Sequence, residues 1–267
     1  KASSANSSTN VRGATFSERA NFRGATFLGA ATFDRVMFSG GAAFGGATFI
    51  GKATFGGVTF SGAAEFAGAT FGGTVAFRQA TFKERALFVG GTSPIFCANV
   101  DFREVLLERL DALVFRDADL SHCQLLRTDL RRAELTGVTW TNLGTRYGVY
   151  DEIAPDAADL DLHKGKHRSF SWIERLYRDL KQNCEDRRDY ERAGDFHYGE
   201  KEMRRRNLET PLSLRILLTL YWLPSGYGER YLRPLLCAGL LLTVCSAAYV
   251  LLGLAPKNDD GAPLIAA

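Results

Sequence analysis

Two histidines have the spacing of a metal site, and they are the first residues to test for chemistry. His163 and His167 lie four positions apart, so one face of a helix could present both to a metal ion. The residues between them are Lys164, Gly165 and Lys166, which break a helix and repel a cation. The sequence therefore predicts a solvated linker at this position and no metal ligands.

A Gly-Tyr-Gly tripeptide at residues 226–228 is the second candidate, because potassium-selective filters expose backbone carbonyls from such loops. A filter loop is held between two membrane helices. This tripeptide instead precedes an apolar stretch and is followed by Glu229 and Arg230. We expect a glycine-rich turn here and no filter.

The remaining reactive side chains form no catalytic pattern. The five cysteines are odd in number and have no metal-type spacing, which favours free thiols in a reducing compartment. Cys123 falls at an inward position of a repeat, and Glu200 is expected in a contact between two helices. The sequence contains no phosphate loop, nucleophile elbow or paired carboxylates. We predict no enzyme, with no catalytic, cofactor-binding or metal residue, and no small-molecule substrate or cofactor.

A phenylalanine repeat indicates the structural elements that position these residues. Gaps of six and five residues alternate strictly, which gives a period of eleven. The repeated residues are Phe16, Phe22, Phe27, Phe33, Phe38, Phe44, Phe49, Phe55, Phe60, Phe66, Phe71, Phe77, Phe82 and Phe88. A small residue stands two positions before each of them, usually with Thr between. A fixed short period indicates one structural unit copied along an axis.

Each unit is predicted to be a short strand followed by a corner. Side chains alternate faces along a strand, so Ala and Phe point inward and Thr outward, while the glycines that follow suit sharp corners. A long helix is the alternative that an eleven-residue period also fits. Repeated glycine pairs would cost about 1 kcal/mol per glycine in a helix interior, which argues against it. A disordered segment would lack such strictly placed large residues.

The spacing shortens to five from about Leu110 onward. The large residues are then Leu110, Phe115, Leu120, Leu125, Leu130, Leu135 and Trp140. A slip between Phe88 and Phe96, which contains Gly90, Gly91 and Pro94, predicts a loop extruded at a corner. The phenylalanines, together with Leu120, Leu125, Leu130 and Leu135, are the predicted inward core ladder.

The order small-polar-large in Ala118-Asp119-Leu120, Thr128-Asp129-Leu130 and Ala133-Glu134-Leu135 resembles the pentapeptide-repeat family. The resemblance covers roughly residues 12–143. It implies a right-handed, four-sided β-helix with the large residues stacked inside, and the six-five segment is a variant with 22 residues per coil instead of 20. We assign residues 1–11 to a frayed lead-in and 12–147 to this solenoid.

The second half of the chain is predicted to be helical. Residues 148–171 lose the repeat and are assigned to a linker, and 172–209 to an α-helical hairpin. Helical spacing places one apolar face on each helix of the hairpin. The inward residues are Ile173, Leu176, Tyr177, Leu180 and Cys184 on the first helix, and Ala193, Phe196 and Met203 on the second.

An uncharged stretch at residues 235–255 is long enough to cross a bilayer. We assign 210–232 to an interfacial segment, 233–256 to a transmembrane helix and 257–267 to an extracytoplasmic end cut short. Basic residues crowd the side before this stretch, so the positive-inside rule places the solenoid in the cytoplasm. The fold class is thus mainly β: a right-handed quadrilateral β-helix followed by an α-helical hairpin and a transmembrane helix.

Residues 172–255 resemble bacterial membrane-bound pentapeptide-repeat proteins in which this block leads into a two-helix, potassium-channel-like module. The resemblance rests on Tyr177–Lys181, Ala193–Tyr198 and Ser225–Arg230. It implies a scaffold in the bacterial inner membrane, or the cytoplasmic sensing or assembly part of an ion-channel-like protein. The implied partners are the lipid bilayer and an unknown protein, with a homo-oligomer left open. The pore loop and second membrane helix of such proteins would follow residue 267.

A nucleic-acid mimic or binder that acts on a DNA topoisomerase is the alternative function, because some pentapeptide-repeat proteins imitate duplex DNA. A mimic needs an acidic rod. Residues 12–96 carry eight basic and four acidic side chains, which is the wrong sign. Nucleic acid is therefore not the expected partner.

Overall fold

The computed structural model describes residues 8–91, 94–154, 168–229 and 232–251, without the side chains of Arg168 and Ser169. The chain divides into two compact units, Lys1–Glu209 and Thr210–Ala267. The first unit holds a β-solenoid and two helices, and the second holds two further helices.

Four parallel sheets, A to D in the order the chain visits them, form the sides of the solenoid. Sheet A contains β1 (Thr9–Asn10), β5 (Ala31–Thr32), β9 (Ala53–Thr54), β13 (Val75–Ala76), β16 (Val100–Asp101) and β19 (Cys123–Gln124). Sheet B contains β2 (Thr15–Phe16), β6 (Met37–Phe38), β10 (Thr59–Phe60), β14 (Thr81–Phe82) and β17 (Leu106–Leu107). Sheet C contains β3 (Ala20–Asn21), β7 (Ala42–Ala43), β11 (Ala64–Glu65), β15 (Ala86–Val89), β18 (Leu113–Arg116) and β20 (Glu134–Thr136). Sheet D contains β4 (Thr26–Phe27), β8 (Thr48–Phe49) and β12 (Thr70–Phe71).

Strand pairing confirms the coil lengths that the repeat predicts. Thr9 pairs with Ala31, 22 positions later, and Val114 pairs with Glu134, 20 positions later. A large residue therefore meets the large residue of the next coil. Phe33 and Phe55 stack with ring centroids 4.9 Å apart and planes 4° apart. The solenoid interior is accordingly a set of parallel aromatic ladders.

Most of the predicted ladder is buried, from Phe33 through Phe88 and at Leu120, Leu125 and Leu130. The members at the two ends are only partly buried, namely Phe16, Phe22, Phe27 and Leu135. These residues belong to the first and last described coils, where a ladder has a neighbour on one side only. Burial thus rises from the ends of the solenoid toward its middle.

The strand register corrects the sequence prediction at Leu110. Thr81 pairs with Leu106, 25 positions later, because the slip after Phe88 adds three residues. Ala86 pairs with Leu113, 27 positions later, so a second insertion lies between β17 and β18. Leu110 falls in that insertion and is 36% exposed, so it does not join the ladder. Leu107 occupies the ladder position that pairs with Phe82.

The structure also moves both ends of the predicted solenoid. Strand β1 pairs with β5, so the lead-in assigned to residues 1–11 contains part of the first coil. The linker assigned to 148–171 begins with structured residues, because β22 (Tyr147–Gly148) pairs with β21 (Thr141–Asn142) and a 3₁₀ helix follows at Tyr150–Glu152. Val149 and Asp151 are buried there. The backbone edge of the last coil needs hydrogen-bond partners, and this segment supplies some of them.

Helices α1 (Arg168–Asp186) and α2 (Tyr190–Arg206) form the predicted hairpin. The side chain of Asp189 caps α2 by accepting a hydrogen bond from the Arg192 amide at 3.2 Å. All eight residues predicted to face inward are buried. The fold class, a solenoid followed by helices with a long apolar helix near the C-terminus, is confirmed.

The second unit contains α3 (Leu212–Ser225) and α4 (Leu232–Leu251). Helix α4 is long and apolar enough to cross a membrane, with a mean hydropathy of 2.0 and no part of that window buried. Helix α3 exposes six large apolar side chains: Leu212, Ile216, Leu217, Leu220, Tyr221 and Leu223. Residues 252–256 of the predicted transmembrane helix and the end at 257–267 lie outside the described residues.

Candidate interaction surfaces and the helical cap

The outer faces of the solenoid differ in charge. Sheet D presents the uncharged threonine column Thr26, Thr48 and Thr70. On sheet C, the Glu65 carboxylate accepts from two arginines of the first coil, Arg19 and Arg23, which flank β3. Sheets C and D therefore offer chemically distinct surfaces on one repeating backbone.

A second carboxylate on sheet C also binds two arginines. Glu134 accepts from Arg116 at 2.5 Å and from Arg85 at 3.1 Å. The hydrogen bond from Arg116 is the main cause that holds the pKa of Glu134 below its usual value. Exposed ion pairs of this kind contribute little to stability, so their main effect is to fix the positions of the arginines.

The corner between sheets A and B carries a third charged group, centred on Glu104. Gln79 donates to the Glu104 carboxylate at 2.8 Å and Arg78 at 3.2 Å, and Arg127 lies 3.7 Å away. Burial raises the pKa of Glu104, but these partners outweigh it and lower the pKa overall. The corner of three successive coils is thus tied to one half-buried carboxylate.

The hairpin α1–α2 covers the open end of the solenoid as a helical cap. The Asn183 amide donates to the backbone carbonyls of Leu130 and Ala133 at 2.7 and 2.8 Å. Arg187 adds a bond to the Ala133 carbonyl at 3.0 Å. These side chains replace partners that a further coil would supply, and burial without them would be costly.

Aromatic packing completes the cap. The Trp140 ring, on the last coil, meets the Phe196 ring of α2 edge to face with centroids 5.2 Å apart. Tyr147 donates its backbone amide to the Asp195 carboxylate at 3.0 Å. The solenoid and the hairpin therefore share one continuous core within the first unit.

A buried ionic network joins the end of the solenoid to both helices. Glu152 accepts from Arg146 at 2.6 Å and from the Tyr177 hydroxyl at 2.6 Å. The Tyr177 oxygen also accepts from the Val149 amide at 3.1 Å. Burial, followed by the Glu152 charge, raises the pKa of Tyr177, so the hydroxyl keeps its proton and its bond to Glu152. Arg146, Glu152 and Tyr177 each have hydrogen-bond partners, so the network has a structural role.

Asp151 binds the backbone of the last coils. Its carboxylate accepts from the Leu125 amide at 2.9 Å and from the Leu126 amide at 3.2 Å. The side chain is almost fully buried. Burial raises the pKa of Asp151 to about 7, although the two amide bonds act in the opposite direction.

A further pair lies inside the helical cap. Glu200 accepts from Arg178 at 3.3 Å, in agreement with the predicted contact between the helices. Its other oxygen lies 4.0 Å from His197 Nδ1, and neither atom has a hydrogen-bond partner within the described part of the chain. Burial lowers the pKa of His197, which favours the neutral ring.

The cysteines are free thiols in the structure, in agreement with the sequence prediction. Cys123 is fully buried at its inward position, and burial raises its pKa well above the usual value. Burial also raises the pKa of Cys184 to about 11. Neither thiol is a reactive nucleophile near neutral pH. Cys97 is exposed on the solenoid.

The Gly-Tyr-Gly tripeptide forms the predicted turn. Gly226, Tyr227 and Gly228 all adopt positive φ, and Gly226 ends α3 with its amide bonded to the Trp222 carbonyl at 2.8 Å. The Tyr227 ring is buried beside the Tyr221 ring, 5.9 Å between centroids. The histidine pair at 163 and 167 lies outside the described residues.

The polar residues that attach the cap were missed by the sequence reasoning. Arg146, Asp151 and Glu152 follow the last repeat and have the composition of a linker, so periodicity gives no signal for them. Asn183 lies within a strongly charged helix. An apolar signal was available close to these charges in Val149, which is buried.

Together, the stacked coils and the helical cap define a capped parallel β-solenoid, a class of repeat protein in which each coil contacts only its neighbours. Family models described as pentapeptide repeats match residues 7–48, 44–92 and 114–139. The chain is accordingly a pentapeptide-repeat protein, and its repeats form a β-solenoid scaffold. Searches of curated proteins and of solved structures returned no match.

Proposed function

We propose that this chain is a membrane-anchored scaffold whose solenoid lies in the bacterial cytoplasm and binds a protein partner. Helix α4 carries the proposal, because it combines membrane-spanning length with full exposure. Helix α3 supports it, since its exposed apolar side chains are suited to the interfacial region of a bilayer. The proposed role is binding, without catalysis.

The charge distribution supports a cytoplasmic solenoid. Arg204, Arg205 and Arg206 end α2, and Arg215 lies near the start of α3. Basic residues on the side before a membrane span favour the cytoplasm. The narrower hypothesis, a sensing or assembly part of an ion-channel-like protein, rests on the resemblance of residues 172–255 alone. The nucleic-acid alternative has no acidic rod to support it.

Stepwise shortening of the chain tests the anchor. The full chain should stay in the membrane fraction after alkaline carbonate treatment. A chain ending at Gly228 lacks α4 but keeps α3, and it should become extractable by carbonate. A chain ending at Glu209 lacks both helices and should be soluble without detergent. A full chain that is soluble without detergent would defeat the membrane assignment.

A further inference from the structure

Two diagonally opposite corners of the solenoid share one backbone conformation but carry different side chains. We define the A/B corner as the turn from sheet A to sheet B, and the C/D corner as the turn from sheet C to sheet D. At the C/D corner the residues with positive φ are Gly24, Gly46, Gly68, Asp117 and Gly137. At the A/B corner they are Gly13, Arg35, Gly57, Gln79, Glu104 and Arg127.

The left-handed conformation explains the C/D corner but not the A/B corner. A Cβ atom crowds the carbonyl oxygen at positive φ, so glycine is favoured and Asp is among the better tolerated alternatives. The C/D corner follows this rule. The A/B corner breaks it with long side chains in four coils, although Gly13 and Gly57 close the same turn without any side chain. Strain that the fold does not require indicates a function for the side chains themselves.

The A/B corner is basic at its exposed edge and acidic beneath it. Arg12, Arg35 and Arg78 are exposed. The acids Asp34 and Asp101 are half-buried and already bonded, Asp34 to the Gly56 amide and Asp101 to Arg103. Glu104 is bonded in the same way. The outermost groups are therefore guanidiniums, whose planar donors match carboxylates.

A cleft of about 250 Å³ lies at the C-terminal end of the A/B corner. The Arg127 guanidinium lies over the Trp172 ring, 4.6 Å from its centroid. Arg175 and Leu176 form further parts of the wall, together with Asp129 and Asp179. The Asp129 carboxylate is already paired with Arg131 at 2.5 Å. Tryptophan and arginine side by side are typical of the residues that dominate protein interfaces.

We propose that the A/B corner and this cleft form one edge that binds an acidic segment of a partner protein. Arg35, Arg78 and Arg127 hold carboxylates of the segment, and an apolar residue of the segment enters the cleft against Trp172. The inference rests on the proposed scaffold function and gives its partner a chemistry.

Fluorescence anisotropy tests the edge with a labelled oligoglutamate peptide that ends in leucine, added to the full chain in uncharged detergent. The variant Arg35→Gly/Arg127→Gly removes two guanidiniums and places glycine where φ is positive, so it should fold. We expect its Kd for the peptide to rise about tenfold. The control Arg23→Gln/Arg116→Gln removes the same charge from sheet C and should change the Kd less than about twofold.

The cleft has its own test. Trp172→Ala should weaken binding of the leucine-ended peptide and leave binding of a plain oligoglutamate unchanged. Loss of both equally would overturn the assignment of the apolar anchor. Absence of binding to the unchanged chain, or equal weakening in both double variants, would overturn the edge. The edge would also be overturned if a single-stranded DNA of equal charge bound more tightly than the peptide and lost affinity in the Arg35→Gly/Arg127→Gly variant.

Membrane fractionation separates this inference from the proposed function. Arg35→Gly/Arg127→Gly should stay in the carbonate-resistant membrane fraction. A failed peptide experiment on a membrane-bound chain refutes the binding edge alone. A chain that is soluble yet binds the peptide through the A/B corner refutes the anchor alone.

Discussion

At the scale of single residues, Phe49 shows what an inward ladder position contributes. Its ring is fully buried and stacks on Phe27 and Phe71, with centroids 4.6 and 4.7 Å away. Neighbouring coils are fixed by backbone bonds and cannot close around a missing ring. Phe49→Ala should therefore lower the free energy of unfolding by about 3–5 kcal/mol.

Thr48→Ser is the matched control, because Thr48 points outward from the same strand. Chemical denaturation followed by tryptophan fluorescence should show almost no change for this variant. Equal losses of stability at residues 48 and 49 would contradict the inward assignment of the phenylalanines.

Asp151 gives the first unit a defined pH dependence. Its pKa is about 7 in the folded chain against 3.8 for the ordinary value, so the folded state binds the proton more tightly. Stability should fall as the pH rises between these two values, by about 1.4 kcal/mol per pH unit at most. Above pH 7 the full cost of the buried charge remains.

Asp151→Asn should remove this slope, because the amide oxygen still accepts from Leu125 and Leu126 but binds no proton. Chemical denaturation at several pH values from about 4.5 to about 8, a range chosen to cover the titration of Asp151, measures the slope. Glu191→Gln, at an exposed carboxylate, is the control. A variant with the unchanged slope would show that another group titrates.

At the scale of elements, the corners of the solenoid are interchangeable in backbone but not in stability. A Cβ at Gly46 would meet only the Gly24 nitrogen at 4.0 Å, so space is available and only φ opposes a side chain. Gly46→Arg should destabilise by about 1 kcal/mol, and Arg35→Gly should be neutral or stabilising. Thermal melts of both variants measure this, and equal effects would contradict the strain argument.

The attachment of the helical cap depends on Asn183. Asn183→Ala removes the side-chain donor shared by the buried Leu130 and Ala133 carbonyls, which keep only the weaker Ala133 amide bond at 3.3 Å and the Arg187 bond at 3.0 Å, so it should cost about 1–3 kcal/mol. Gln182→Ala, on the exposed side of α1, is the control. Hydrogen exchange should become faster in α1 and in the last coil for the first variant only. Exchange that accelerates equally in both variants would contradict the cap.

At the scale of the whole molecule, Cys97 is a natural reporter of topology. It is exposed on the solenoid, whereas Cys123 and Cys184 are buried and Cys237 and Cys245 lie in α4. A membrane-impermeant maleimide should label Cys97 only after spheroplasts are lysed, if the solenoid is cytoplasmic. Cys97→Ser should abolish that labelling. Labelling of intact spheroplasts at Cys97 would place the solenoid outside.

The sequence by itself determined the solenoid, its coil lengths and its inward residues. The reason is that each unit contacts only its neighbours, so the register follows from local spacing. The apolar faces of α1 and α2 were equally readable, because helical periodicity is local. The same locality explains why the insertion between β17 and β18 was missed: Leu110 fits the five-residue spacing, and only strand pairing excludes it.

Only the tertiary structure decided how the solenoid ends and that the A/B corner carries long side chains at positive φ. The contacts of Asn183 with Leu130, and of Arg146 with Tyr177, join residues far apart in sequence, and polar side chains carry no periodic signal. The A/B corner also became visible only through φ, since Arg35 and Gln79 read as ordinary surface residues in the sequence. Stacking alone fixes the repeat, whereas the backbone groups left unpaired at its end must find partners from elsewhere in the chain.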